Sequence, residues 1–203
     1  MGNNLNNRKS ISRVSIALFY AGFIALALVW GWLRREPGVF FTGAPLIKPV
    51  KAFTGPWSPW AEYTLLGLLV AVIAVIVSRL MHVHFRWARV LEREMIKMIG
   101  PISVLDAAYI SLVSGVAEEL LFRGGVQPQF GYVIASIVFG AVHFVPDKKF
   151  LPWTISALAM GFVLGGLALL TGNLLAPMTA HITMNFINLL RLRRLAPLFG
   201  VNN

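Results

Sequence analysis

The chain has 203 residues, of which 57% are hydrophobic and only 13% are charged. The charged share is about half of that in soluble proteins, and the mean hydropathy is +0.72, so the composition argues against a soluble domain. There is no cysteine, which excludes disulfides and thiolate metal sites. The net charge is +10, but most basic residues flank apolar segments. We therefore expect contact with anionic lipid and no nucleic-acid partner.

The apolar segments predict an all-α, polytopic membrane bundle with about six transmembrane helices. The first run is too long for a cleaved signal peptide and is interpreted as a retained helix. Residues 36–60 contain five prolines and cannot form a continuous helix. The predicted spans are residues 11–33, residues 60–77, a helix that begins near residue 102, and residues 132–144, 151–170 and 174–190.

The segment between the second and third spans predicts an amphipathic helix that lies on the membrane surface. Apolar residues recur at helical spacing over residues 80–98, with basic residues on the opposite side. His82 and His84 fall in this segment two residues apart, so they diverge on a helix and are interpreted as surface residues.

The termini and the loops after spans two and four hold 13 basic residues against 5 on the other side. This asymmetry predicts a multi-pass protein of the cell membrane with both termini in the cytoplasm.

The third predicted span carries Glu118, Glu119 and Arg123 in one of the most apolar parts of the chain. A charge at bilayer depth costs at least about 2.5–3.5 kcal/mol, so each one requires a reason. Glu119 and Arg123 are four residues apart, share a helix face and can form a structural ion pair. Glu118 points about 100° away and has no such partner in the sequence. Glu118 is therefore the candidate for function.

Two later spans carry further polar residues at helical spacing. Phe139 and His143 are four residues apart, and so are His181 and Asn185. Hydrogen bonding between helices explains Asn188, which is seven residues after His181, but explains the histidine less well. A carboxylate can act as general base, histidine can orient water or receive a proton, and asparagine can stabilise an oxyanion. These groups suffice to add water to a peptide carbonyl, and the same groups could instead bind a divalent metal.

The stretches "EELLFR", "FGAVH" and "HITMN" resemble the three motifs of the CPBP family. That family includes the type II CAAX prenyl endopeptidases and bacterial abortive-infection proteins. Its pattern is Glu-Glu-x-x-x-Arg, then Phe-x-x-x-His, then His-x-x-x-Asn, and every fixed position is present in order. The resemblance covers about residues 100–190. We accordingly divide the chain into amino-terminal helices with the amphipathic connector (1–100) and a CPBP-like catalytic helical core (101–203).

The resemblance implies an intramembrane protease with a glutamate-activated water. Glu118 would activate the water, assisted by His143. His181 and Asn185 would stabilise the oxyanion. The residues that would support the site are Glu119, Arg123 and Phe139. The resemblance implies neither a metal ligand nor a cofactor, and the HExxH helix of common zinc proteases is absent; a zinc site made of two histidines and one glutamate is the alternative.

The leading hypothesis is an endopeptidase that cleaves a membrane-embedded or lipidated peptide near its carboxyl terminus. The alternatives are a non-catalytic membrane scaffold or immunity protein, and a small transporter in which Gly161, Gly165 and Gly166 permit close helix packing. In a simple alternating topology His143 lies at the opposite membrane face from Glu118. The two residues meet only if the third helix continues past Arg123 and the short fourth helix returns to mid-membrane.

Overall fold

The computed structural model of the protein describes residues 13–33 and 58–201. The first two residues of the predicted first span and most of the proline-rich segment lie outside the described residues. Within the described ranges the chain is helical and forms no β-strand, which confirms the all-α membrane class. The helices are α1 (Arg13–Leu33), α2 (Ser58–His84), α3 (Arg86–Ile99), α4 (Val104–Glu119), α5 (Gln127–Phe130), α6 (Tyr132–Val142), α7 (Leu151–Thr171) and α8 (Leu175–Leu195), and a π-helical segment, Leu120–Val126, joins α4 to α5.

Fewer helices than the six predicted spans have the length and composition needed to cross a membrane alone. In the part of the chain that the structure describes, three do so: Arg13–Leu33, Trp60–His84 and Lys148–Thr171. A fourth span results if α3 and the α4–α5 segment, bent by 100° at their junction, are counted together. Helix α6 has only 11 residues, which is about half the length of a spanning helix.

The junction between α2 and α3 corrects the prediction for the amphipathic helix. Helix α2 continues to His84 instead of ending near residue 77, and Phe85 adopts an extended backbone that separates it from α3. His82 and His84 therefore belong to the last turn of α2. Arg89 of α3 donates hydrogen bonds to the carbonyl oxygens of His82 and Val83, both at 3.0 Å. These bonds satisfy carbonyls that the end of α2 leaves without helical partners.

A helical hairpin brings the second motif back to the level of the first. The helix that carries Glu118 continues past Arg123 through the π-helical segment to Phe130. Gly131, with φ of 86°, reverses the chain, and α6 returns antiparallel to it. Glu118 lies 12 residues before Phe130, and His143 lies 12 residues after Gly131. Glu118 and His143 therefore lie at the same depth in the bundle. This is the arrangement that the sequence analysis required for the two residues to meet.

Glycines allow close contacts between α4 and α8 and between α6 and α7. A Cβ atom on Gly115 of α4 would lie 2.5 Å from Cγ1 of Ile182 of α8. A Cβ on Gly161 of α7 would lie 2.8 Å from the carbonyl oxygen of Ser136 of α6. Glycine is thus required at both contacts, and the predicted role of Gly161 in close packing is confirmed.

The amino-terminal helices pack directly on the carboxyl-terminal ones. Helix α2 packs along α8, and α1 packs against α4 and the π-helical segment. Nε of Arg13 at the start of α1 lies 2.6 Å from Oδ1 of Asp106 in the first turn of α4. The division of the chain at residue 100 stays a prediction.

Candidate active site

Residues from the three motifs converge on one carboxylate. The Nε2 atoms of His143 and His181 lie 3.7 and 3.9 Å from Oε2 of Glu118. These separations are too long for direct hydrogen bonds. Oε2 is buried and accepts no hydrogen bond from any described residue. Two imidazole nitrogens thus face the same carboxylate oxygen from α6 and α8.

The opposite ring nitrogen of each histidine is held by a second group. Nδ1 of His143 lies 2.7 Å from the carbonyl oxygen of Phe139, one helical turn earlier. Nδ1 of His181 lies 2.8 Å from Oε1 of Glu119. Both partners are acceptors, so Nδ1 carries the proton in each ring and donates it. The second hydrogen bond fixes the tautomer and leaves Nε2 directed at Glu118.

Glu119, Arg123 and His181 form a fully buried group, which we call the core cluster. Nη1 of Arg123 donates to Oε1 of Glu119 at 3.2 Å, so the predicted ion pair is confirmed. Nη2 of Arg123 donates to the carbonyl oxygen of Gly161 at 3.0 Å. The guanidinium carbon also lies 4.3 Å from the centroid of the Phe139 ring, a cation–π distance. Arg123 thereby ties the π-helical segment to α6 and α7, and π-helical turns occur frequently at functional sites.

Asn185 and Asn188 make the next hydrogen bonds along α8. Nδ2 of Asn185 donates to the hydroxyl oxygen of Ser114 on α4 at 3.2 Å. Oδ1 of Asn188 accepts from Nη2 of Arg79 on α2 at 3.4 Å. The interhelical role predicted for Asn188 is therefore confirmed. Asn185 lies one turn from His181 and lines the same cavity as Glu118.

A cavity of about 640 Å³ leads to the convergent carboxylate. Its polar end contains Glu118, His143, His181 and Asn185, and apolar side chains of α2, α7 and α8 form much of its wall. The volume is in the range of pockets that hold small ligands. Along α8 the cavity extends from His181 to Leu192 and so also reaches α3. An apolar segment of a ligand can therefore lie against this wall while a polar group of the same ligand reaches Glu118.

Sequence reasoning missed two contributors to the polar end of the cavity. The hydroxyl of Tyr20 on α1 donates to Oε1 of Glu118 at 3.2 Å. The Trp153 ring packs edge-on against His143 at a centroid distance of 5.4 Å. Neither residue has a spacing in the sequence that relates it to Glu118, because each comes from another helix.

A second polar group, Glu92, Arg191 and His82, lines the other end of the cavity, and we call it the rim cluster. Nε and Nη2 of Arg191 donate to the two carboxylate oxygens of Glu92 at 2.6 and 3.4 Å. Nδ1 of His82 lies 3.2 Å from Oε1 of Glu92. The interpretation of His82 as a surface residue is therefore wrong, since α2 continues past residue 77 and turns this side chain inward. The sequence contains one sign of a polar site at this end of the cavity. Arg79 lines the same cavity and, like Glu118, is a charged residue within an apolar helix.

The described residues do not form a ready metal site. Among residues 13–33 and 58–201, no group of three or more histidine, aspartate or glutamate side chains is arranged to hold a metal ion. Zinc lies about 2.0–2.2 Å from each nitrogen or oxygen ligand. The Glu118, His143 and His181 side chains would have to rearrange to meet that geometry.

Comparison with known proteins gives a family for the segment that contains the three motifs. A model of the family described as type II CAAX prenyl endopeptidase Rce1-like matches residues 100–187. The "Uncharacterized protein YpbD" of Bacillus subtilis (strain 168) is 37% identical over 91 residues, which are 45% of this chain and 48% of that protein. The match thus spans about half the length of this curated relative. No solved structure matches the chain. The three motifs lie within residues 100–187, the segment that is similar to the Rce1-like family.

Proposed function

We propose that the protein is an intramembrane endopeptidase that uses a water activated by Glu118. The observation that supports this most is the convergence of two Nε2 atoms on the buried Oε2 of Glu118, at 3.7 and 3.9 Å. Polar groups at such separations are commonly bridged by one water, and a water here would have three partners. The Rce1-like family of residues 100–187 is consistent with this chemistry.

The proposed reaction adds this water across one peptide bond. Glu118 takes a proton from the water while the water oxygen attacks the carbonyl carbon. The carbonyl oxygen becomes an oxyanion, which accepts hydrogen bonds from Nδ2 of Asn185 and from Nε2 of a protonated His181. Glu118 then passes its proton to the amide nitrogen as the carbon–nitrogen bond breaks, giving a carboxylic acid and an amine. Before the attack, Nε2 of His143 accepts a hydrogen bond from the water and so holds it beside Glu118.

Glu119 and Arg123 of the core cluster fix the geometry of this reaction without touching the substrate, because they act through His181. Glu119 accepts the Nδ1 proton of His181 and balances the ring's charge when Nε2 is also protonated. Arg123 in turn holds Glu119. Each of these groups is locked by packing, which is how proteins hold a reactive arrangement to a fraction of an ångström.

The substrate we propose is a membrane-embedded or lipidated peptide, cleaved near its carboxyl terminus. The apolar wall of the cavity suits a chain that arrives from the lipid. The polar ends of α2 and α8 lie side by side, because Arg79 contacts Asn188 and Arg191 follows one turn later. By the positive-inside rule, this shared basic end favours the cytoplasmic side, with both termini there.

The experiment that tests the function is Glu118→Gln. The amide keeps the size of the side chain, and turnover should fall by roughly 10²- to 10⁴-fold because the general base is lost. Folding should persist because an amide is easier to bury than a charge. The measurement is mass spectrometry of a lipidated peptide library incubated with purified protein in nanodiscs, together with thermal unfolding. The matched control is Glu62→Gln, the same change at a carboxylate of α2 that does not line the cavity.

Two results would redirect the proposal. Cleavage at the wild-type rate by folded Glu118→Gln protein would leave a non-catalytic membrane scaffold or immunity protein as the better explanation. Loss of activity on chelation, restored by one equivalent of zinc, would show the zinc-dependent version of the same protease. We expect activity to survive chelation, because the proposed reaction uses only protein groups.

A further inference from the structure

Two polar contacts join α4 to α8 beside the close approach at Gly115. Nε2 of His181 faces Oε2 of Glu118 at 3.9 Å, and Nδ2 of Asn185 donates to the hydroxyl oxygen of Ser114 at 3.2 Å. On each helix the two residues are four apart, so they lie on one face and one turn from each other. The contact between Ser114 and Asn185 is therefore the neighbour of the contact at the proposed reactive carboxylate.

The hydroxyl of Ser114 directs its proton away from α8. It donates to the carbonyl oxygen of Ser111 at 3.4 Å, and it also contacts the hydroxyl of Tyr20, whose own proton goes to Glu118. A hydroxyl group has one donor and two acceptor lone pairs. Towards Asn185 the Ser114 oxygen therefore presents a lone pair, and only the nitrogen end of an amide can donate to it.

We propose that Ser114 is a positioning residue that turns the amide nitrogen of Asn185 towards the carbonyl oxygen of the substrate. The proposal rests on the proposed peptidase function, in which Asn185 donates to the oxyanion. An amide nitrogen has two N–H donors. When Ser114 accepts from one of them, the other remains for the oxyanion, and the amide oxygen, which would repel a negative charge, faces away from α4.

The orientation of the Asn185 amide is not selected by its shape. A half-turn of an amide exchanges its nitrogen and oxygen with almost no change in volume, so a hydrogen-bond partner has to select one orientation. A donor stabilises an oxyanion most when it is fixed before the reaction begins. Loss of the Ser114 hydroxyl should therefore weaken the transition state and leave binding of the uncleaved peptide unchanged, which lowers kcat without changing KM.

The test compares Ser114→Ala with Ser111→Ala on a peptide that the wild-type protein cleaves, selected from the lipidated library. Both serines are buried on α4, but the hydroxyl of Ser111 donates to the carbonyl oxygen of Ala107 at 2.7 Å and does not line the cavity. We expect Ser114→Ala to lower kcat roughly tenfold at unchanged KM. Ser111→Ala should keep both constants near their wild-type values, and Ser114→Thr, which retains a hydroxyl, should recover most of the lost rate.

Two further measurements separate positioning from packing. If Ser114 acts through Asn185, Ser114→Ala should add nothing to the loss caused by Asn185→Ala, because residues that act as a unit are not additive. NMR of protein with isotope-labelled asparagine amides gives a readout that needs no turnover. The Asn185 signals are identified by their loss in Asn185→Ala, and Ser114→Ala should shift them whereas Ser111→Ala should not.

The outcomes distinguish this proposal from the peptidase function. A wild-type kcat for Ser114→Ala, additive losses in the double variant, or Asn185 signals that do not shift would each overturn the positioning role and leave the peptidase function intact. If Ser114→Ala does not fold, Ser114→Cys provides the same comparison, because a thiol has nearly the same shape but is a weak acceptor. Shifted Asn185 signals in a protein that cleaves no peptide would overturn the peptidase function and the role of Ser114 in it together.

Discussion

The core cluster and the rim cluster contain the same three residue types, but they differ in burial. In each, a glutamate contacts an arginine and a histidine. The core side chains of Glu119, Arg123 and His181 are 0%, 1% and 5% exposed. The rim side chains of Glu92, Arg191 and His82 are 13%, 27% and 29% exposed. Identical chemistry therefore operates in two different dielectric environments.

This difference indicates what each cluster can do. Breaking a buried ion pair leaves a charge without solvent, whereas water can replace either partner of an exposed pair. Each cluster also stands beside a charge that has no ionic partner at hydrogen-bond distance among the described residues, Glu118 at the core and Arg79 at the rim. We infer that the rigid cluster suits the reaction, which needs fixed geometry, and that the wetter cluster suits a site that exchanges ligands.

The largest expected effect contrasts Arg123→Ala with Arg191→Ala. Removing Arg123 leaves Glu119 buried without its cation and should lower the free energy of unfolding by roughly 3–5 kcal/mol. Removing Arg191 leaves Glu92 partly exposed and still beside His82, so the loss should be smaller, roughly 1 kcal/mol. Unfolding of both variants in detergent gives the comparison, with Arg123→Lys expected to lose less than Arg123→Ala. Equal destabilisation by the two alanine variants would contradict the inference that burial determines the cost of breaking each ion pair.

The Glu119–Arg123 pair of the core cluster could be predicted from the sequence, whereas the contact of His181 with Glu119 and the rim cluster could not. Glu119 and Arg123 are four residues apart on one helix, a spacing that predicts their contact directly. Glu92 and Arg191 are 99 residues apart, and only the packing of α3 against α8 joins them. The break at Phe85 was also missed, because it contains neither glycine nor proline and its neighbours continue the helical pattern.

In the fold too, some features follow from a local sequence pattern and others only from packing between helices. The long apolar runs predicted the end of α1 and both ends of α7 to within one residue, since hydropathy alone defines them. The number of spans was predicted less well, because α6 is short and α8 carries histidine, asparagine and arginine among its apolar residues. These polar residues are accommodated by contacts with α2 and α4, which no local pattern in the sequence shows.

A smaller effect contrasts His181→Gln with His82→Gln. Glutamine at position 181 can still donate to Glu119, but it removes the second ring nitrogen that faces Glu118. Turnover should fall by roughly 10²- to 10³-fold, as for loss of an oxyanion donor, without loss of folding. His82→Gln alters only the rim cluster, which is partly exposed and does not contact Glu118, and should change turnover by less than about threefold. The measurement is the steady-state rate on the peptide library, and similar losses at both positions would show that the rim cluster also takes part in catalysis.

The smallest expected effect asks whether α1 shapes the core end of the cavity. The hydroxyl of Tyr20 donates to Oε1 of Glu118 at 3.2 Å and so orients the carboxylate with Oε2 towards the two histidines. Tyr20→Phe removes this hydrogen bond together with the contact of the hydroxyl with Ser114. The hydrogen bond to Glu118 is worth about 0.5–1.5 kcal/mol, or roughly a threefold to tenfold loss of kcat. KM should remain unchanged, because in the proposed reaction Tyr20 acts through Glu118. Tyr109→Phe is the matched control on the same α1–α4 interface, since its hydroxyl contacts the carbonyl oxygen of Arg13 and not the cavity. An unchanged kcat for Tyr20→Phe would show that Glu118 is oriented by its own helix and its histidines, and that α1 contributes packing alone.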